Sequence, residues 1–264
     1  MAKMLHTHLD ENDVGRYAFL PGSPERVPLI AEYLDDFKKV MQHREHTTYS
    51  GYLEGELVLV TSTGMGGSSS AICTEELGKL GVDTFIRIGT GASTSPDVNK
   101  GDLVILNGTV RMEGTSSHYV PMEFPAVPDY QVLTELDKAS RKLGFNYKVG
   151  ISITKDSFFT QIEPETRPNG WELKHKWESY VKGGAIITSM EEAVLFVIGT
   201  SFNYRMGSVL VCATDYTGPD VKAKQTVKAA PTADGYPREH IHKGIEVGIE
   251  AMRQLILSDK QKRA

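Results

Sequence analysis

Three arginines stand where the chain is about to turn, and arginine is well suited to binding phosphate. Arg26 follows the run PGSPE, Arg44 lies in the polar stretch QHREHTTY, and Arg87 lies inside the apolar stretch FIRIGT. A guanidinium presents parallel N–H donors that match two phosphate oxygens. Because burying an unpaired charge is very costly, Arg87 needs a partner. The sequence leaves open whether that partner is an internal Asp or Glu or a bound anion.

Small and hydroxyl-bearing residues accompany two of these arginines. Gly22 permits close approach of the backbone just before a predicted helix, whose first N–H groups point at the same place. Arg26 follows within the first helical turn, so this segment can form an anion site. The alternative is a capped helix with a solvent-facing Arg26. Thr90 and Gly91 end the strand that carries Arg87.

Carboxylates at two further places could act on a sugar or a base. Glu191 follows Met190 at the start of a predicted helix, where it could accept hydrogen bonds from sugar hydroxyls while Met190 packs on the ring. Ser189 and Glu192 are also spaced as a capping box, which would make this segment an ordinary helix start. Asp215 comes just after a predicted strand, either as a turn residue or as a general acid.

An aromatic pair and a glycine-rich loop are further candidates for ligand contact. Phe158 could stack on a heterocycle and Gln161 could bind its edge, but a core aromatic pair is the alternative, and we expect one ring of Phe158 and Phe159 to be core. The loop 63–70, TGMGGSSS, lacks the ending of a triphosphate loop and matches a dinucleotide loop only with Ser69 as its last glycine. We interpret it as a tight turn that lines a pocket.

Alternating strand-like and helix-like runs position these residues. Strands are predicted at 17–20, 56–62, 83–90, 102–106, 148–154, 185–188 and 208–214. Helices are predicted at 23–34, from the glycine-rich loop to Leu80, and at 130–143, 189–199 and 238–257, with frayed residues after that. This alternation predicts an α/β fold, a three-layer α-β-α single domain over 1–264 with a mixed, largely parallel twisted sheet. Ligands bind such sheets at the carboxyl ends of the strands.

Composition narrows the choice of partners and compartment. The 264 residues carry a formal net charge of −5, which argues against a nucleic-acid-binding surface but permits a local basic pocket for a small anion. The N-terminal stretch has no apolar signal-peptide core, and no apolar run has the length of a membrane span, so we expect a cytoplasmic protein that does not bind membranes. Cys73 and Cys212 lie in apolar contexts and are predicted to be buried free thiols.

Taken together, several motifs resemble the nucleoside phosphorylases of the trimeric/hexameric class, and most closely the uridine phosphorylases. These motifs run from about His6 to the C-terminal helix: PGSPER, HREHTTY, STGMGG, EELGKLGVDTFIRIGT, RMEGTSSHYVPMEFPAVPD, KDSFFTQIEPE and SMEEA. The resemblance implies a phosphorylase-like fold and a pentosyltransferase that splits uridine or deoxyuridine with phosphate, giving uracil and the sugar 1-phosphate. Inorganic phosphate is then the co-substrate, and no other cofactor is required.

The same resemblance assigns residues to subsites. It implies a phosphate site of Gly22, Arg26, Arg87 and Thr90, completed by Arg44 from a neighbouring subunit. It implies a ribose site of Met190 and Glu191 with the neighbour's His6, and a base site of Gly91, Phe158, Gln161 and Arg167. A monovalent cation, often potassium, is implied at the dimer interface with Glu45 and Ser69 as ligands. Shared sites imply at least a homodimer, and the bacterial relatives favour a hexamer.

Four positions depart from the family pattern and bear on the substrate. Ser23 replaces an acidic residue, Ala92 replaces a glycine near the base, and Ser189 replaces a glutamate. The base-binding arginine is expected at Thr166, whereas this chain has Arg167 one position later. The phosphate arginines therefore match the family, while the base pocket matches it less well.

Three alternatives to a uridine phosphorylase stay open at this point. Asp215 falls near the position where purine-cleaving relatives protonate the leaving base, so a purine nucleoside phosphorylase acting on inosine or adenosine is one alternative. A nucleoside-binding relative without turnover is the second. A dinucleotide-binding oxidoreductase is the third, and only the loop 63–70 supports it.

Overall fold

The computed structural model describes residues 3–214 and 237–263, which form one mixed β-sheet with helices on both faces. The strands are β1 (Tyr17–Leu20), β2 (Asp35–His43), β3 (His46–Leu53), β4 (Glu56–Thr61), β5 (Thr84–Ser93), β6 (Leu103–Met112), β7 (Tyr147–Lys155), β8 (Ala185–Ser189) and β9 (Arg205–Thr214). The helices are α1 (Arg26–Ala31), α2 (Gly67–Lys79), α3 (Tyr130–Leu143), α4 (Phe159–Ile162), α5 (Gly170–Lys182), α6 (Glu192–Phe202) and α7 (Arg238–Arg263). Short 3₁₀ turns span Thr115–His118 and Pro164–Thr166.

The strands are ordered β2-β3-β4-β1-β5-β8-β7-β6-β9, and β5 also pairs with β9. The last five strands therefore close into a ring, while β2, β3 and β4 extend from it through β1. Parallel pairs join β1 to β4 and β5, β5 to β9, and β7 to β6 and β8, whereas the other four pairs are antiparallel. This arrangement confirms the predicted mixed sheet.

Two apolar cores lie on opposite faces of the sheet, as alternation along each strand requires. Tyr17 and Phe19 of β1 join one core, which includes residues of α1, α3 and α7. Ala18 and Leu20 join the other, which includes residues of α2 and α6. On β5, Phe85 faces this second core, so Arg87, two residues later, points to the side of α6.

Several parts of the chain differ from the sequence predictions. The hairpin β2–β3 and helix α5 were not predicted, and the helix predicted at 23–34 is shortened to α1 because residues 23–25 form a turn. Most of β2 is exposed at the sheet edge, and α5 buries only Gly170 and Trp177, so neither has a clear apolar period. Both cysteines are free and buried, as predicted. Over the described ranges, no helix is long and apolar enough to cross a membrane.

The C-terminal residues were predicted to fray but continue α7 to Arg263. Asp259 explains this difference, because its carboxylate accepts hydrogen bonds from Tyr17 Oη at 2.9 Å and from Arg205 Nη2 at 2.5 Å. Lys260 also contacts the backbone carbonyl of Glu54. Long-range polar contacts therefore hold the last turns of the helix, and such contacts cannot be read from local sequence.

We predict that Asp259→Ala lowers the free energy of unfolding by about 2–3 kcal/mol, because Arg205 and the Tyr17 hydroxyl lose a buried partner. Burial opposes the charge of Asp259, but hydrogen bonds from Arg205 and Tyr17 outweigh it and hold its pKa below the ordinary value. This contribution is therefore present above the carboxyl's unfolded pKa and is lost as the pH falls through the folded pKa. Urea unfolding at pH 7 and at pH 3 measures both effects, with the exposed Gln261→Ala as control. Equal stability of the two variants at pH 7 would contradict the prediction.

Candidate active site

The centre of the site is Arg87, whose guanidinium lies between two carboxylates. Its Nε donates to Glu192 Oε1 at 2.7 Å and its Nη2 donates to Glu191 Oε2 at 2.5 Å. All three residues are buried, with at most 5% of their surface exposed. Burial opposes the charge of Arg87, but the two carboxylates outweigh it and raise the pKa of the guanidinium above its ordinary value. The sequence left open whether the partner of Arg87 is an acidic residue or a bound anion. The structure shows two acidic partners, Glu191 and Glu192.

The third guanidinium nitrogen of Arg87, Nη1, is not bound by either carboxylate. It is buried and has no hydrogen-bond partner among the described residues. A buried N–H without an acceptor is costly, so the unpaired Nη1 is a candidate group for binding a ligand. Gly22 lies beside it: a methyl group in place of the glycine hydrogen would lie 3.8 Å from Nη1 and 3.7 Å from Nη2.

Arg26 and Thr90 lie at the same edge of the sheet. Leu20, the last residue of β1, pairs with Arg87 of β5, so the residues that follow β1 lie near the part of β5 that follows Arg87. Arg26 Nη2 lies 3.5 Å from Thr90 Oγ1, and Arg26 is only 5% exposed. The alternative of a solvent-facing Arg26 is therefore wrong. Ser23 is not the helix cap either, because α1 begins after Glu25 without a side-chain cap.

The glycine-rich loop holds Glu191 in place. The backbone N–H of Gly66 donates to Glu191 Oε1 at 2.8 Å. Gly64 and Gly66 have φ angles of 74° and 85°, which residues with a Cβ rarely adopt. The loop is thus a tight turn that aims a backbone donor at the carboxylate, and Met190, half-buried, lies next to that carboxylate in sequence.

The capping-box interpretation of Ser189 and Glu192 is wrong. The N-cap of α6 is Glu191, and no side chain caps the helix. Glu192 binds Arg87 through one oxygen, and its other oxygen accepts a hydrogen bond from the Ser189 hydroxyl. Glu192 is fully buried, so it is a structural counter-charge for the arginine rather than an exposed cap.

Lys155 is a buried cation that the sequence analysis missed. It ends β7 and is 5% exposed, and its Nζ donates to Thr188 Oγ1 at 2.9 Å. Burial lowers its pKa to about 8, although Glu191 and Glu192 favour the charged form. The sequence could have indicated this buried charge, because Lys155 directly follows the apolar stretch GISIT, much as Arg87 lies inside the apolar stretch FIRIGT.

The segment predicted to contact the base follows three residues after Lys155. Phe158 and Phe159 meet edge to face with ring centroids 5.5 Å apart, and they are 39% and 58% exposed. The prediction that one ring belongs to the core is therefore wrong. Gln161 lies in α4, and Arg167 lies 3.8 Å from Glu163. Within residues 3–214 and 237–263, no hydrogen bond or ion pair joins these side chains to Arg87.

Gly91 lies in a narrow space between strands. It is paired with Cys212 of β9, and a methyl group on it would lie 2.7 Å from the carbonyl oxygen of Thr188. A side chain there would push β5 away from β8. Glycine at this position therefore keeps the ring of strands closed just beyond Thr90.

His6 contacts His43, which is the residue before Arg44. His6 Nδ1 is 2.7 Å from Glu76 Oε1, and the His6 carbonyl oxygen lies 2.7 Å from Nδ1 of His43. Arg44 follows His43 in the turn between β2 and β3, is exposed, and has a φ of 53°. Within the described part of the chain, no hydrogen bond links either residue to Arg87.

Glu45 and Ser69, predicted to bind a cation, are in direct contact. Ser69 Oγ donates to Glu45 Oε1 at 2.8 Å and also lies 2.6 Å from the Thr63 carbonyl oxygen. Hydrogen bonds from its own backbone N–H and from Ser69 lower the pKa of Glu45. Two side-chain oxygens and a backbone carbonyl oxygen thus meet at one place. Asp215, the predicted general acid, lies outside the described residues.

Comparisons with known proteins show the family of this chain. The profile of the phosphorylase superfamily matches residues 16–242, and the chain belongs to that superfamily. It is 39% identical to a uridine phosphorylase of Treponema pallidum, over 96% of this chain and 95% of the relative. It is 34% identical to a uridine phosphorylase of Escherichia coli, over 96% of this chain and 98% of the relative. A guanosine phosphorylase of Halorubrum lacusprofundi is 33% identical over 97% of this chain and 100% of the relative.

We predict that Gly22→Ala leaves the fold intact and weakens phosphate binding by about tenfold, as expected for the loss of one or two kilocalories of contact. The added methyl group has ordinary van der Waals distances to its neighbours, but it occupies the space in front of Arg87. Isothermal calorimetry with inorganic phosphate measures the affinity, and thermal unfolding serves as the control for folding. Unchanged phosphate affinity would place the anion elsewhere.

Proposed function

We propose that this chain is a uridine phosphorylase, which transfers the pentose of uridine from uracil to inorganic phosphate. The proposal that phosphate is a substrate rests on the buried, unpaired Nη1 of Arg87 beside Gly22. The proposal that uridine is the nucleoside is supported by relatives named uridine phosphorylase that match nearly the whole chain. We further propose that residues 1–264 act as a single domain in the cytoplasm.

In this proposal, phosphate binds at Arg87 Nη1, with Arg26 and Thr90 beside it. Two guanidinium groups concentrate and orient the dianion, and the hydroxyl fixes its rotation. One phosphate oxygen attacks C1′ of the nucleoside while the bond from C1′ to the base nitrogen breaks. The electron pair of that bond leaves with uracil, and solvent then protonates the anion. Positioning and electrostatics therefore supply the catalysis.

Glu191 is proposed to hold the sugar. Its two oxygens accept from Gly66 and Arg87, which leaves lone pairs free for the 2′- and 3′-hydroxyls. Its negative charge also stabilises the positive character that develops on the sugar as the base leaves. Met190 packs against the ring. Phe158 stacks on the base next to Gly91, and Gln161 and Arg167 donate to its carbonyl oxygens.

A neighbouring copy is proposed to complete each site with His6 and Arg44. The contact between His43 and the His6 carbonyl supports this, because it lets one surface deliver both residues together. The assembly is then at least a dimer, and we propose a hexamer built from three dimers. A potassium ion at Glu45 and Ser69 is proposed for the same interface, where oxygen ligands suit such a cation.

A guanosine- or inosine-cleaving phosphorylase is the second candidate. The relative named guanosine phosphorylase favours it, as does Asp215, since a purine leaves best when it is protonated. A nucleoside-binding protein without turnover is the remaining possibility, motivated by the departures in the base pocket.

Incubation with a nucleoside panel, with and without phosphate, separates these functions. We expect release of uracil from uridine only with phosphate present, and a fall in kcat/KM of at least about a thousandfold in Arg87→Ala, as for loss of a group that stabilises transition-state charge. Chromatography identifies the released base.

Release of guanine or hypoxanthine alone, lost in Asp215→Ala, would instead establish the purine candidate. Thermal stabilisation by nucleoside without any product would establish a binding protein.

Mixing two inactive variants tests the shared site. Arg44→Ala and Arg87→Ala each remove a phosphate ligand from every site of a homodimer. In a mixed dimer, one site carries both changes and the other carries neither. After dissociation and random reassembly, we therefore expect recovery of about a quarter of the native activity. No recovery, with mixed assemblies verified by mass spectrometry, would show that Arg44 serves its own chain.

A further inference from the structure

The group around Arg87 carries an unbalanced charge. Arg87 supplies one positive charge, while Glu191 and Glu192 supply two negative charges, and all three are buried. A net negative charge next to a phosphate site opposes the binding of a dianion, and low polarity strengthens the repulsion. Arg26 beside Thr90 adds one positive charge to the proposed phosphate site, and a cation close to the carboxylates themselves would lower the repulsion further.

Lys155 is placed to be that cation. It reaches the cluster from the end of β7, where Thr154 is paired with Ser189 of β8. Its Nζ donates to Thr188 Oγ1 at 2.9 Å and lies 3.5 Å from the Ser189 carbonyl oxygen. Both partners are uncharged, so its charge acts on the carboxylates through space. Thr188 and Ser189 lead directly into Met190 and Glu191, so the lysine also fixes the backbone that carries the ribose ligands.

The charged groups around Lys155 leave it no other evident role. Glu191 and Glu192, at the start of α6, act on its charge, and both of these carboxylates are bound to Arg87 of β5. Met112 of β6 is its register partner, and the next residue, Glu113, accepts two hydrogen bonds from Ser116. The following residue, Asp156, accepts from the backbone N–H of Gly114. Both of these acids are thus engaged elsewhere.

We propose that Lys155 is a positioning residue whose positive charge balances Glu191 and Glu192 and so enables phosphate to bind at Arg87. This inference rests on the proposed function for the location of the phosphate. Lys155 does not touch the substrates in this account, and it acts through the carboxylates and through the backbone of residues 188–189.

A dependence on pH follows. With a pKa of about 8 in the free protein, Lys155 is mostly charged at pH 7 and mostly neutral at pH 9. Bound phosphate favours the charged form, so binding raises this pKa and takes up a proton between these pH values. Phosphate affinity should therefore fall as the pH rises through 8, although the proportion of phosphate dianion does not fall in this range.

Calorimetry with inorganic phosphate alone tests the inference. At pH 7 we expect Lys155→Met to bind phosphate about tenfold more weakly than the native protein, within the usual range for coupling between sites. We expect native affinity to fall by a similar factor from pH 7 to pH 9, and the variant to show little further loss. Lys148→Met is the matched control, because Lys148 is an exposed lysine of the same strand, and it should behave as the native protein. Native affinity and a native pH profile in Lys155→Met would overturn the inference.

A measurement on the native protein keeps the inference testable if Lys155→Met does not fold. Binding enthalpies at pH 8.5 in buffers of different ionisation heat report proton uptake directly. Uptake of a fraction of a proton supports the inference, and no uptake contradicts it. Since no nucleoside is present, a nucleoside panel without product would refute the proposed reaction and leave this result standing. Conversely, active enzyme without proton uptake would refute only the role of Lys155.

Discussion

The whole site depends on one guanidinium that is shared between two buried carboxylates. Arg87 could not remain charged inside the protein without Glu191 and Glu192, and removing either one would leave a buried charge partly uncompensated. This ion cluster also ties together parts of the chain that are far apart in sequence, namely β5 and the start of α6. Because the carboxylates occupy Nε and Nη2, they fix the plane of the guanidinium and determine where the remaining nitrogen points. The fold thus holds the Nη1 donor of Arg87 in a fixed orientation without a ligand.

Several groups serve more than one purpose in this arrangement. Glu191 accepts hydrogen bonds from Arg87 and from the glycine-rich loop, and it is also the proposed sugar ligand. A change in the loop should therefore affect the proposed ribose site and the proposed phosphate site together. Lys155 is proposed to act on this group in two ways. Its hydrogen bonds hold Thr188 and Ser189, just before Met190 and Glu191, and its positive charge acts on Glu191 and Glu192. Pre-organised electrostatics of this kind suits a reaction in which the protein forms no covalent bond to the substrate.

The sequence predicted the parts of the molecule whose causes are local. The buried strand with an arginine, the glycine-rich turn and the amphipathic helix α3 follow from alternation, positive φ angles and helical period. The sequence could show that Arg87 needs a partner, but not that it has acidic partners and an unpaired nitrogen as well. Lys155 was missed because its role comes from Glu191 and Glu192, which lie more than thirty residues away. The edge hairpin and α5 were missed because they bury little apolar surface.

A crystal structure of the protein with phosphate alone would show whether Nη1 of Arg87 binds phosphate. We expect a phosphate oxygen within hydrogen-bonding distance of Nη1, about 2.7–3.0 Å, beside Gly22 and Thr90. The bonds from Arg87 to Glu191 and Glu192 should remain in place. Phosphate bound away from Arg87, or a protein group that accepts from Nη1 in the phosphate complex, would contradict the account.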